Sequence, residues 1–187
     1  MLRACRRLAF VILILSAGCA EPPSKEMNQA QGAIDAARAA GAERFATAEL
    51  AAATDALKRS EDAVAAGDYR QALSHAIDSR ERAQNAAKIA VEGRADARGQ
   101  SERAIAEVAT LLSQAQAQLK NLASRPLRGP RATVAGVEKL LQEARAALAR
   151  EDYAAVATTL DGAAVQLRAA LAQIDAAVGS APSRRKR

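Results

Sequence analysis

Residues 65–73 read A-A-G-D-Y-R-Q-A-L, and nearly everything about the fold can be worked out from them. Gly67 interrupts an alanine-rich helix over residues 46–66. Asp68 can cap the next helix, with Gln71 three residues on as in a capping box, and Tyr69 opens the apolar stripe of that helix. Upstream, Leu50, Ala53, Leu57, Ser60 and Val64 step by three and four residues, the spacing of one helix face. Downstream, Tyr69, Ala72, Ala76, Ser79, Ala83, Ala86, Ala90, Gly93 and Ala97 continue in the same steps, almost all of them small. A small stripe lets two helix backbones approach closely.

The same pattern returns 84 residues later. Val134, Val137, Leu141, Ala144 and Leu148 lead to Asp152 and Tyr153, followed by Val156, Leu160, Ala163, Leu167, Ala170 and Ile174. Each unit reads as helix, tight Asp-Tyr turn, helix, which predicts an internal duplication. Between the units no proline occurs from Tyr69 to Leu122, and Ile105, Val108, Leu112, Ala115, Leu119 and Leu122 form another stripe. One helix over 69–122, ~80 Å if unbroken, is expected. A break near Gly99, with Ser101 as a new cap, is the alternative. The expected fold is all-α: two antiparallel helical hairpins linked by a long helix, coiled-coil-like and elongated.

Punctuation along the chain sets the remaining boundaries. Residues 28–40 form a helix ending near Gly41, and Thr47 is the expected N-cap of the next. Residues 124–130, SRPLRGP, are a loop, and helices are expected at 131–149 and 153–178. The domain reading is a leader over 1–18, a tether over 19–27, a first hairpin unit over 28–98, a connecting helix and loop over 99–130, a second hairpin unit over 131–178 and a basic tail over 179–187.

Composition limits what such a body can do. Alanine supplies 51 of 187 residues, four are aromatic, and tryptophan is absent. Alanine favours helix but buries little apolar area, so a slender body without an enclosed pocket is expected. The net charge of +6 belongs to the ends: residues 20–183 hold 20 bases and 21 acids. Nucleic acid is therefore not an expected partner. The tail, Arg184-Arg185-Lys186-Arg187, and the loop cations Arg125, Arg128 and Arg131 beside Lys120 are candidate contacts to an anionic polymer or partner. Otherwise they are solvated charge.

The first nineteen residues carry the strongest functional signal. Arg3, Arg6 and Arg7 precede the apolar run Leu8–Leu15, and Ser16-Ala17-Gly18 precede Cys19. This is the order of a cleavable export signal, too short in its apolar part to span a bilayer. L-S-A-G-C resembles the bacterial lipobox. That resemblance implies cleavage between Gly18 and Cys19 and a diacylglycerol on the Cys19 thiol. Ala20 after Cys19 implies delivery to the outer membrane rather than retention at the inner one. The mature chain would keep no free cysteine and form no disulfide.

Chemistry-bearing residues are few. His75 is the single histidine, and neither a metal cluster, a phosphate loop nor a nucleophile motif appears in the sequence. No catalytic residue, metal or cofactor is expected. Asp68 and Asp152 read as caps, and Tyr69 and Tyr153 as turn packing, with ligand stacking as the rival role.

The segment Ala65–Leu73 resembles the turn and second helix of a tetratricopeptide hairpin, but a period of 84 does not fit that repeat. Residues 30–91, from A-A-R-A-A-G-A-E-R-F-A-T-A-E-L through A-G-D-Y, resemble domain-of-unknown-function family 4398, small helical lipoproteins of Gram-negative bacteria. That family often has proline where Ala46 or Thr47 stands in this chain. The resemblance implies a helical, lipid-anchored envelope protein and no reaction. The expected partners are a membrane, through the lipid, and an envelope protein or a cell-wall polymer. A homo-oligomer joined through the long helix is a further reading.

Overall fold

A computed structural model describes residues 21–122 and 127–179, and these are all-α, with no strand among them. The helices are α1 (Ser24–Ala39), α2 (Ala42–Phe45), α3 (Thr47–Ala65), α4 (Tyr69–Asn121), α5 (Arg128–Ala149), α6 (Tyr153–Leu160) and α7 (Ala163–Gly179). The chain divides into two compact units between Gly93 and Arg94, inside α4. Each unit therefore takes one part of the 53-residue helix α4 as one of its own helices.

Unit 1 packs α1, α3 and the first part of α4 around Ala30, Ile34, Ala37, Leu50, Ala53, Leu57, Ala83, Ala86 and Ala90, all buried. The expected tether over 19–27 is shorter than its polar composition suggested. Helix α1 begins at Ser24, directly after Pro22-Pro23. Polar Ser24, Lys25 and Glu26 do not oppose helix, and Glu26 in the first turn favours it through the helix dipole. The stripe Ala30, Ile34 and Ala37 is fully buried, so α1 joins the hairpin as a third helix.

Thr47 is not the N-cap of α3. That position is Ala46, with φ −143° and no side-chain cap. The Thr47 hydroxyl instead donates back to the Glu43 carbonyl at 3.0 Å, because the short helix α2 runs almost directly into α3. Helix α4 passes through Gly93 and Gly99 without a break. Ser101, the alternative cap, lies inside the helix and donates to the Ala97 carbonyl four residues back at 2.8 Å. A Cβ on Gly93 would sit 3.2 Å from that of Phe45, so this glycine serves a close approach within unit 1.

Unit 2 packs the second part of α4 against α5, α6 and α7 around Val108, Leu112, Leu119, Val134, Val137, Leu141, Val156, Leu160, Leu167 and Ile174. Residues 99–121, expected as a connector, thus supply core side chains. Helix α5 starts at Arg128, inside the expected loop 124–130. Pro130 falls in its first turn, where a missing N–H has no helical partner to lose. The expected single helix 153–178 is two helices. They are parted at Asp161-Gly162, with Gly162 at φ +70°. Leu160 and Ala163 still keep the three-residue step, so periodicity alone cannot reveal the break.

Candidate functional sites: two capped turns and a basic groove

The two Asp-Tyr turns share the same pair of closing backbone bonds. Gly67 N–H donates to the Val64 carbonyl at 3.0 Å and Asp68 N–H to Ala63 at 2.9 Å. Eighty-four positions on, Glu151 N–H donates to Leu148 at 3.0 Å and Asp152 N–H to Ala147 at 3.0 Å. These paired bonds form the Schellman motif that satisfies the last carbonyls of a helix. It requires a left-handed residue, supplied by Gly67 (φ +77°) in one turn and by Glu151 (φ +57°) in the other. Each aspartate then caps the next helix, accepting from Gln71 N–H at 2.9 Å and from Ala155 N–H at 3.1 Å. The reciprocal half of the expected capping box is replaced, since the Asp68 N–H is committed to Ala63.

Tyr153 is packed inward, with 6% of its surface exposed, while Tyr69 is half-buried. A half-open cleft of about 330 Å³ lies beside the second turn, lined by Arg98, Arg145, Leu148, Ala149, Glu151 and Tyr153. Two ion pairs lie at this cleft. Arg94 Nη1 stands 3.9 Å from Glu151 Oε2, and Arg98 Nε donates to Glu102 Oε1 at 2.8 Å. That bond, then the Glu102 charge, holds the Arg98 guanidinium above the usual arginine range. Both Asp residues and Tyr153 have structural work: each Asp backbone N–H satisfies a helix-end carbonyl, each carboxylate accepts a helix-start N–H, and Tyr153 is buried.

The basic groove is the second candidate. Gln116, Leu119, Lys120, Arg131, Val134, Ala135 and Glu138 line about 310 Å³ of open space between α4 and α5. Arg131 Nη2 reaches the carbonyls of Leu119 and Leu122, each at 3.4 Å. A cation on the last carbonyls complements the helix dipole, so Arg131 is committed to ending α4. Glu138 adds an opposing charge to the groove, and Arg128 is exposed at the first residue of α5. Arg125, Arg184, Arg185, Lys186, Arg187, Gly18 and Cys19 lie outside the described residues.

His75 is half-buried on α4. Among the described residues no three His, Cys, Asp or Glu side chains could jointly hold a metal ion, and no helix is long and apolar enough to cross a membrane.

The sequence placed Ser60 and Ser79 on the helix stripes but did not reveal their bonds, nor the full length of the repeat. Ser60 and Ser79 are fully buried and bond across the α3–α4 interface: Ser60 Oγ donates to the Ala72 carbonyl at 2.7 Å, Ser79 Oγ to Ala53 at 2.8 Å. The repeat is also longer than a hairpin. Pro23, just ahead of α1, and Met27, Ala30, Ile34 and Ala37 on it match Val108, Leu112, Ala115, Leu119 and Leu122 in spacing. The offset is 85 instead of 84, and that one-residue shift hid the match. A scan against family models, a search of curated proteins and a search of solved structures each find no match to this chain.

Proposed function

We propose that this protein is a non-catalytic, lipid-anchored component of the bacterial cell envelope, presenting helical surfaces in the periplasm to a protein partner or the cell wall. The observation that carries this reading is the L-S-A-G-C sequence ending at Cys19 behind a basic and apolar leader, with a helical bundle starting at Ser24. A thioether-linked diacylglycerol with an N-acyl chain buries enough methylenes, at ~0.8 kcal/mol each, for stable anchoring. The aspartate caps at the two turns and the inward-packed Tyr153 support a scaffolding role, because these residues already have partners within the fold. Membership of the helical lipoprotein family rests on residues 30–91 and belongs to this proposal. Labelled palmitate tests it: the protein should incorporate label and fractionate with outer membranes, and Cys19→Ala should abolish both. Label uptake unaffected by that substitution would overturn the reading.

A second reading, binding of an anionic envelope polymer such as peptidoglycan or lipopolysaccharide, is favoured by exposed Arg128 and by Lys120 in the open groove. Removing Arg184–Arg187 should weaken binding to isolated cell wall or lipopolysaccharide and reduce its salt sensitivity; unchanged binding rejects it.

A further inference from the structure

Hydrogen bonds fix which end of unit 1 lies nearest the start of the chain. Arg80 Nη1 donates to Gln29 Oε1 at 2.9 Å, and Gly93 lies against Phe45, so α1 and the first part of α4 run in the same direction. Helix α3 runs opposite, with Ser60 beside Ala72 and Ser79 beside Ala53. Counting down from the Gln29–Arg80 level places Ser24 beside residue 75 of α4. The turn at residues 66–69 then lies about 9 Å beyond Ser24 along the bundle, at 1.5 Å per residue. Residues 41–45 mark the opposite end, about 36 Å from Tyr69 by the same rise.

Pro23 is itself buried and extends the inward stripe of Met27, Ala30 and Ile34, while its carbonyl accepts from Met27 N–H at 3.0 Å. Four Cα steps separate Pro23 from Cys19, a reach of at most about 14 Å. That length barely clears the hairpin tip.

We infer that this tip, residues 66–70 with Leu73, rests on the headgroup layer of the bilayer that holds Cys19. The inference depends on the lipid-anchored reading above. The tip suits a zwitterionic surface. Lys58, Arg59 and Arg70 are interspersed with Glu61, Asp62 and Asp68, so neither sign dominates. Tyr69 is half-buried and Leu73 is 38% exposed, offering modest apolar contact at the boundary. The acyl chains supply the attachment, and the tip sets which end of the bundle meets the lipid.

The absence of tryptophan makes the test direct. Single-tryptophan forms of the full, processed lipoprotein, Leu73→Trp at the tip and Glu43→Trp at the far end, are placed in phosphatidylcholine vesicles carrying a nitroxide headgroup lipid. Ser74→Trp, also exposed, replaces Leu73→Trp if that variant fails to fold. Palmitate label and co-flotation with vesicles report the anchor independently. On anchored protein, the tip residue should be quenched several-fold more than Glu43→Trp, with no change at high salt. Equal quenching at both ends, meaning a bundle lying on its side, or none at either, overturns the inference while leaving the anchor intact. Absence of label overturns the anchor and the inference together.

Discussion

Two turn positions that match in the repeat differ in the residue that carries the left-handed backbone. Gly67 adopts it without steric cost, whereas at Glu151 a Cβ crowds the backbone, which costs about 1–2 kcal/mol. Nothing lies within 4 Å of a Cβ built on Gly67, so Gly67→Ala isolates the conformational term. It should destabilise unit 1 by about 1 kcal/mol, partly offset by lost freedom in the unfolded chain, as read by urea unfolding. Glu151→Gly should stabilise unit 2 slightly, since the exposed Arg94 pair it removes contributes little. Losing the aspartate caps, by Asp68→Ala or Asp152→Ala, should cost about 1 kcal/mol each in the same assay. A large loss at Asp152 with none at Asp68 would show that capping does not hold both turns alike.

At the scale of helices, glycines inside α4 have different meanings. Gly99 faces only the Arg103 guanidinium at 3.7 Å, whereas Gly93 faces Phe45 at 3.2 Å. Gly99→Ala should therefore raise the thermal midpoint by the helix-propensity gain of about 1 kcal/mol. Gly93→Ala should gain much less, because Phe45 must yield, and Gly93→Leu should be strongly destabilising. Helix existence was legible in the sequence because period and composition agree over long stretches. The stripe from Val134 to Leu141 and that from Val156 to Ile174 are buried as their spacing predicts. Helix ends were less legible. Thr47 looks like a cap only until α2 is known to precede it, and Gly162 interrupts a stripe without disturbing its step. Helix α1 was underestimated because its outward face is polar. Of the candidate sites, the aspartate caps could be read directly from the Asp-Tyr turn. The commitment of Arg131 to the end of α4 could not, since it joins groups twelve residues apart through tertiary packing.

Across the molecule, the two units are unequal in what they bury. Ala72, Ala76, Ala83 and Ala90 in unit 1 stand where unit 2 has Val156, Leu160, Leu167 and Ile174. Each larger side chain contributes ~1.5–3 kcal/mol when buried, so unit 1 should lose amide protection first in native-state hydrogen exchange. Near neutral pH the charge states of Arg82 and Arg98 should not alter that order. Bonds to Asp78 and Glu102 raise both guanidiniums above their usual range. A raised basic group stabilises the fold below its unfolded pKa and ceases to do so only as pH climbs through its higher folded value. That window lies beyond about pH 12, so these two arginines impose no slope on the thermal midpoint between roughly pH 6 and 9. The thin core of unit 1 has another consequence. Rows of near-identical methyl groups fit almost as well after a slide of one helical turn, so apolar contact alone leaves the α3–α4 alignment nearly degenerate. The hydroxyls of Ser60 and Ser79 act as dowels, because each meets its carbonyl in a single alignment.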